Sequence, residues 1–340
     1  MIQTYVHNEW DPLEEVVVGR VENARLPIED EGLRCVEYTN LSPDEHVPSG
    51  PYSERILGET AEDLDKLAEA LTALGIVVHR PDEHLTERIF GTPDWQSDGM
   101  FSYCPRDSVL IVDDLIIEAP MVLRSRQHET FPMRRILRDC FLGGARWISA
   151  PHPQLLADTY RAPNGFEIAL SEHEPLFDAA NITRLGQDLL YLVSNSGNWM
   201  GARWLQSVVG PSFRVIPLDR LHNTFHIDTT IVPIREGLVF VPSERVRPDN
   251  LPEILRDWEV VYFDDIVETP CDGVVACSKW IGLNVLMLRP DLAVVDSKQR
   301  PLIQALERRG VNVLPQTLRH ARTLSGGFHC VTLDLRRRAS

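Results

Sequence analysis

The chain has 340 residues, 43% hydrophobic and 25% charged, with a formal net charge of -16, a balance that describes a globular protein able to bury a large core. The excess of carboxylates argues against a phosphate-backbone partner, since nucleic-acid affinity rests on clustered cations and the one basic run here, Arg336-Arg-Arg338, is short. Six scattered Cys without a CxxC pair, no apolar run of about 18 residues and no signal-peptide pattern at the N-terminus predict a cytoplasmic protein with reduced thiols, no membrane span and no structural metal.

In chain order, Glu14-Glu-Val-Val-Val-Gly19 reads as a strand. Residues 22 to 52, rich in Pro, Gly, Asp and Glu, read as a long loop of the kind that often serves function. Leu64, Leu67, Leu71 and Leu74 recur at helical spacing and predict a helix from Thr60 to Leu74 that Gly75 stops, followed by a strand at Ile76 to Arg80. Ser108 to Val112, the turn Asp113-Asp114 and Leu115 to Glu118 form a hairpin, with a helix at Pro132 to Phe141 and a strand at Arg146 to Ser149 behind it. Three later stretches echo that plan: Leu185 to Ser194, Ile234 to Ser243 and Leu288 to Ser297. Helices are expected behind them at 199–209, 251–258 and 302–309, then strands at 213–217, 260–263 and 311–314. A fifth unit is split across the termini, with Cys330 to Leu335 as its first strand. Five such units predict one α/β domain over 1–340, a five-bladed propeller with pseudo-fivefold symmetry whose last blade both termini complete. No GxGxxG or GxxxxGK[ST] turn supports a doubly wound alternative.

Ser325-Gly-Gly-Phe-His-Cys330 is the stretch around which the chemistry is expected. Its glycines allow a tight turn and the close approach of a ligand, and they leave Cys330 at the mouth of a strand. A catalytic thiol needs a base and an acid from elsewhere, and Asp178, His226 and Asp228 are candidates. Ser278 and either Asp94 or Asp98 stand at comparable positions ahead of their blades. Each has a plainer role open to it: Cys330 as a small core residue, Asp94 as a turn residue, Asp178 as a cap, His226 as a buried imidazole. Ionisable side chains converging from separate repeats are nevertheless what a site needs and what a core does not tolerate unpaired.

These residues also carry a resemblance. Asn8 to Gly19, Thr92-Pro-Asp-Trp95, Pro105-Arg-Asp107, Phe177-Asp-Ala-Ala180, His226-Ile-Asp-Thr229, Ser278-Lys-Trp280, Asn284 to Leu288 and Gly326 to Cys330 together are similar to the amidinotransferases, from about residue 5 to 338. The resemblance implies a five-bladed αβ-propeller and a cofactor-free, ping-pong transfer of the amidino group of L-arginine to a small amine through a covalent amidino-cysteine. It implies Cys330 as nucleophile, His226 as proton donor and Asp178 as its partner. It further implies Asp94 and Asp228 as the carboxylates that hold the guanidinium, and Arg245 with Ser278 at the arginine carboxylate. Two features of the mouth bear on the acceptor. Asn223 matches the glycine-using enzyme, whereas Phe225 stands where that enzyme has Met, so the loop argues for a narrow mouth and an amino-acid acceptor. The remainder of the chain resembles the inosamine-phosphate enzymes of streptomycin-type pathways, and a phosphorylated cyclitol or similar natural-product amine is the favoured reading. A bacterial cytoplasmic enzyme, a homodimer among its states, is expected. Hydrolysis of a guanidine, as in arginine deiminases, is the alternative chemistry.

Overall fold

Apolar runs joined by two-residue polar turns become antiparallel hairpins. Val109–Val112 pairs with Leu115–Glu118, Ile182–Leu185 with Asp188–Leu192, Val232–Arg235 with Leu238–Val241, and Leu286–Arg289 with Leu292–Asp296. Gly186 and Gly237 take positive φ in two of the turns (73° and 78°), which an L side chain resists. Each hairpin then accepts a parallel third strand, in turn Arg146–Ser149, Arg214–Leu218, Glu259–Tyr262 and Asn312–Gln316. The fifth sheet has the same order but takes Thr332–Arg337 from one end of the chain and Leu13–Val18 and Val77–His79 from the other. In this computed structural model, which describes residues 1–338 except 40, 43, 163–166 and 274–276, the architecture is therefore α/β with five three-stranded sheets. Among the described residues no sheet closes on itself.

Middle strands lie deep: Leu115–Glu118 and Leu238–Val241 are buried along their whole length, whereas the third strands paired to them, Arg146–Ser149 and Glu259–Tyr262, are exposed at both ends. Two of those outer strands carry Pro217 and Pro315, which edge strands tolerate and which blunts them against pairing with another chain. Helices cover the seams. In Arg300–Glu307, Leu302, Ile303 and Leu306 pack with Val232, Phe240, Met287 and Val295 of two neighbouring sheets. The expected helix at 60–74 runs over Glu54–Ala73, six residues earlier at its start, because Ser53 caps it by accepting from the Ile56 N–H. At 251–258 no α-helix forms. Pro252 and the strand beginning at Glu259 leave room only for the single 3-10 turn Glu253–Leu255. Residues 22–52 are more structured than expected, with the strand pair Arg25–Leu26 and Gly50–Pro51 and the helix Glu31–Val36, capped by Asp30.

The sheets meet on a buried ionic cluster. Arg184 donates to both carboxylate oxygens of Glu9 (2.8 and 2.7 Å) and lies 3.3 Å from Asp334, which also binds Arg106 (2.7 Å) and Arg337 (2.8 Å). Burial alone would raise the Glu9 carboxyl, but the Arg184 guanidinium and His329 hold it well below its ordinary range. Removing one partner from such a cluster leaves a buried charge uncompensated. Arg184→Ala should therefore cost about 3–5 kcal/mol, read as a fall in the urea midpoint. A loss below about 1 kcal/mol, typical of an exposed pair, would show that the cluster does not hold the sheets.

Candidate active site

The segment before Cys330 is shaped by close packing more than by glycine flexibility. Ser325 takes the positive φ (55°), and neither following glycine does. A Cβ at Gly326 would lie 2.5 Å from Cys104 Sγ, and one at Gly327 would lie 2.6 Å from the Asn284 side chain. The glycines thus admit protein atoms, which corrects the expectation that they admit a ligand. Through that approach Asn284 Oδ1 accepts from the N–H groups of His329 (2.9 Å) and Cys330 (3.1 Å), while its amide donates to Asp228 Oδ2 (2.8 Å). One buried amide therefore fixes both the thiol-bearing backbone and the carboxylate beside it. The Cys330 thiol donates to the same Asp228 oxygen at 3.2 Å, and His329 Nδ1 lies 3.0 Å from it.

Cys330 and Asp228 open on a cavity of about 270 Å³ that His226, Asp107, Arg126 and Arg245 also line. His226 Nε2 is 3.1 Å from Asp178 Oδ2, and its Nδ1 faces Asp107 Oδ1 at 3.8 Å. Asp178 accepts the Val122 N–H at 3.1 Å. Behind the pair Arg126 binds Glu129 (2.7 Å) and Asp107 (3.0 Å) and lies 3.7 Å from Asp178. Burial alone would lower the imidazole, but Asp107 and the Asp178 hydrogen bond push it up to about 9. At Cys330 a hydrogen bond from Cys104 pulls the thiol down, yet burial and the charges of Asp228 and Asp107 outweigh it and hold the thiol at about 11. Asp228 itself is lowered to about 2: against burial, His329, His226 and Asn284 stabilise its charged form. At neutral pH the resting site therefore holds a thiol, an imidazolium and a carboxylate.

Of the residues expected from sequence, Cys330, His226, Asp228, Arg245, Ser278 and Phe225 line this one cavity, and Asp178 stands directly behind His226. Arg245 donates to Thr229 (3.2 Å), Thr230 (2.9 Å) and Ser278 (3.1 Å), all hydroxyls, and burial lowers it to about 10. Phe225 stands edge-on to His226, with ring centres 5.8 Å apart. Asn223 is turned from the cavity and donates to the Glu167 carbonyl at 3.3 Å, leaving Thr224 as the lining residue. Asp94 is not brought to the site: it is exposed near the short hairpin Phe90–Gly91/Gln96–Ser97, where its N–H binds Thr92. Asp98 is buried, but in a pair with Arg25. Asp107, inside the Pro105-Arg-Asp107 motif, occupies the place expected of Asp94. Glu37, Arg126 and Asn284 were also missed. Only Asn284 and Asp107 lay in stretches that drew notice, and only through the resemblance.

Comparison with known proteins assigns the chemistry of this arrangement. The chain is 50% identical over 339 residues to inosamine-phosphate amidinotransferase 1 of Streptomyces glaucescens, covering 98% of this chain and 97% of that one. The chain belongs to the amidinotransferases. It is also 33% identical to the L-arginine:L-lysine amidinotransferase of Pseudomonas savastanoi pv. phaseolicola, over 99% of this chain and 97% of that one. The solved amidinotransferase StrB1 of Streptomyces griseus superposes with a TM-score of 0.98 at 48% identity, covering 100% of this chain and 98% of that one. No family model matches the chain. No helix among the described residues of this amidinotransferase is long and apolar enough to cross a membrane.

The electrostatics of the amidinotransferase site can be checked directly. The difference in thiolate absorbance between wild type and Cys330→Ser should titrate near pH 11, and Asp228→Asn should move the midpoint down, because it removes a negative charge that opposes ionisation. A midpoint that rises in Asp228→Asn would mean that the carboxylate assists the thiolate and that the sign assigned to it is wrong.

Proposed function

We propose that this enzyme takes the amidino group from L-arginine, carries it on Cys330 and delivers it to an amine of the inosamine-phosphate type, with release of ornithine. The observation that carries the reading is a buried thiol, an acid-supported imidazolium and a buried carboxylate around one cavity, in a chain half identical to an inosamine-phosphate amidinotransferase. The planar fork of guanidinium donors suits carboxylates on two sides, so the group rests between Asp228 and Asp107 with its carbon facing Cys330. The same two carboxylates hold the thiol up, and the incoming cation offsets them. The substrate therefore favours the thiolate that attacks it. His226, already protonated, gives a proton to the departing nitrogen, and Asp178 fixes the orientation of the ring. Arg245, whose donors meet only hydroxyls among the described residues, receives the arginine carboxylate with Ser278 beside it. Every step uses protein side chains and the two substrates alone.

The five sheets, in this reading, are the blades of a propeller with pseudo-fivefold symmetry, a geometry in which residues ahead of each first strand converge on the axis. A cytoplasmic location and a homodimer complete the proposal; six free cysteines are compatible with the former, and light scattering at working concentration tests the latter. Acceptor preference is read by incubating the enzyme with arginine and a panel of inosamine phosphate, lysine and glycine. Guanidino product and ornithine in equal amounts are expected, with inosamine phosphate preferred; citrulline from arginine alone would make the enzyme a hydrolase.

Mass spectrometry after arginine addition should find the amidino group on the peptide containing Cys330, and Cys330→Ala should lose turnover by several orders of magnitude while remaining folded, since no other nucleophile replaces it. An adduct on Cys277 or Cys104 would overturn the assignment. The acids separate by role. Asp107→Asn should weaken arginine binding by about 1.5–3 kcal/mol, the range for a hydrogen bond to a charged group. Asp178→Asn should slow the chemistry with little change in arginine binding, and Asp94→Asn should change neither. Arginine affinity lost in Asp94→Asn and kept in Asp107→Asn would reverse the placement of the second carboxylate.

A further inference from the structure

Three carboxyl side chains line the cavity: Glu37, Asp107 and Asp228. Asp228 is engaged by Asn284, His329 and Cys330, and Asp107 by Arg126. Glu37 has no side-chain hydrogen bond or ion pair among the described residues. It is nevertheless held firmly. It closes the helix Glu31–Val36, donating its N–H to the Leu33 carbonyl at 2.9 Å. That helix is pinned by the Asp30 cap, by Glu31 against Arg124 (2.7 Å) and by the contact of Gly32 with the Tyr160 ring, where a Cβ would lie 2.8 Å from Cζ. A bare carboxyl on a fixed wall beside the reacting groups calls for a cationic or proton-donating partner that arrives from solution.

Proton bookkeeping supplies one, on the amidino-transfer reading above. When Cys330 displaces ornithine, the C–N bond breaks and the amine leaves as an ammonium, which takes the thiol proton and one from His226; the imidazole, held at about 9, regains that proton from solvent before the acceptor enters and so is not free to take another. The acceptor attacks as its free amine, so its ammonium first gives up one proton; the amine nitrogen then forms the new C–N bond as the C–S bond breaks. Of the two protons it sheds, one restores the Cys330 thiol and one is surplus. We propose that Glu37 is the acceptor-side base: its carboxylate accepts a hydrogen bond from the acceptor's ammonium and takes that surplus proton. The surroundings suit the task. Burial pushes the Glu37 carboxyl up to about 7, against the Arg126 charge and with that of Asp178, while His226 lowers it and Asp107 raises it further. Tyr38 and Tyr52 are the remaining titratable groups that feel it. A base poised near neutrality is efficient because it both holds and releases a proton there.

The experiment separates the half-reactions. Wild type and Glu37→Gln are loaded with arginine alone and quenched to measure ornithine release and the Cys330 adduct; loaded enzyme is then mixed with inosamine phosphate or lysine, and loss of the adduct is followed against concentration and pH. Glu37→Gln should form the adduct at a rate within about twofold of wild type, which also shows that it folds. It should discharge the adduct about 10²-fold more slowly, within the range for a lost general base, and lack the rise in discharge rate through pH 7 that wild type shows. Glu37→Asp should restore part of that rise. Equal slowing of both half-reactions, or an unaltered discharge profile, would overturn the assignment of Glu37. Wild type that forms no adduct at all would overturn the amidino-transfer reading, a result distinguishable because it appears before any acceptor is added.

Discussion

A carboxylate hydrogen-bonded to a thiol opposes the ionisation that makes the thiol a nucleophile, and this site is built around that conflict. Asp228 accepts from Cys330 at 3.2 Å and is itself kept ionised by Asn284 and His329. With Asp107 on the other side, the result is a resting thiol at about 11 beside an imidazolium at about 9. In most thiol sites the neighbouring cation belongs to the protein and the thiolate stands ready. On the transfer proposed above, the carboxylates leave the place of that cation open for a substrate, and reactivity would follow occupancy. An exposed thiolate would react with oxidants and electrophiles in solution; a thiol that ionises only against a bound guanidinium is shielded from them.

That arrangement depends on parts of the chain far apart in sequence. Asn284 reaches the Cys330 segment only because Gly327 has no Cβ. The strand that follows, Thr332–Arg337, is fixed through Asp334 to Arg106, Arg184 and Arg337, and so to Glu9. His329 joins the two systems, with one ring nitrogen on Glu9 and the other on Asp228. A shift among the sheets is therefore felt at the nucleophile through hydrogen bonds of fixed length, and the buried charges hold the alignment that transfer chemistry requires.

Much of this was legible because the chain repeats itself. Hairpins with two-residue turns recur with enough regularity to reveal the split fifth sheet, and the expectation that ionisable residues stand just ahead of each first strand picks out Asp178, Asp228 and Cys330, which the structure gathers in and behind one cavity. Applied strictly, that expectation would also have chosen Asp107, two residues before Val109, over Asp94, which lies in the turn of the separate hairpin Phe90–Gly91/Gln96–Ser97. Asp94 enters through the resemblance, in the Thr92-Pro-Asp-Trp95 stretch, and a matched stretch does not say which way a side chain faces. Glu37 left no signal at all. It lies in a segment without periodicity, and only tertiary packing of the six-residue helix before it turns that carboxyl toward the cavity. The 251–258 region failed for the opposite reason: helical spacing was present, but Pro252 and the nearby strand left no length in which to express it.

The balance of charge in the cavity finally bears on which pairs of substrates one site can serve in turn. Arg126 is committed to Glu129 and Asp107, whereas among the described residues Arg245 donates only to the hydroxyls of Thr229, Thr230 and Ser278. Hydroxyls satisfy its donors without cancelling its charge, and a partly buried cation in that state gains most from an anion. If transfer is ping-pong, as proposed, ornithine leaves before the acceptor enters, so the carboxylate of the first substrate and an anionic group on the second would use the same arginine at different times. An inosamine phosphate and an amino acid both carry such a group beside an amine. What would distinguish them, on the proposed reading, is their reach across the cavity, whose lining includes the uncharged bulk of Phe225, edge-on to His226.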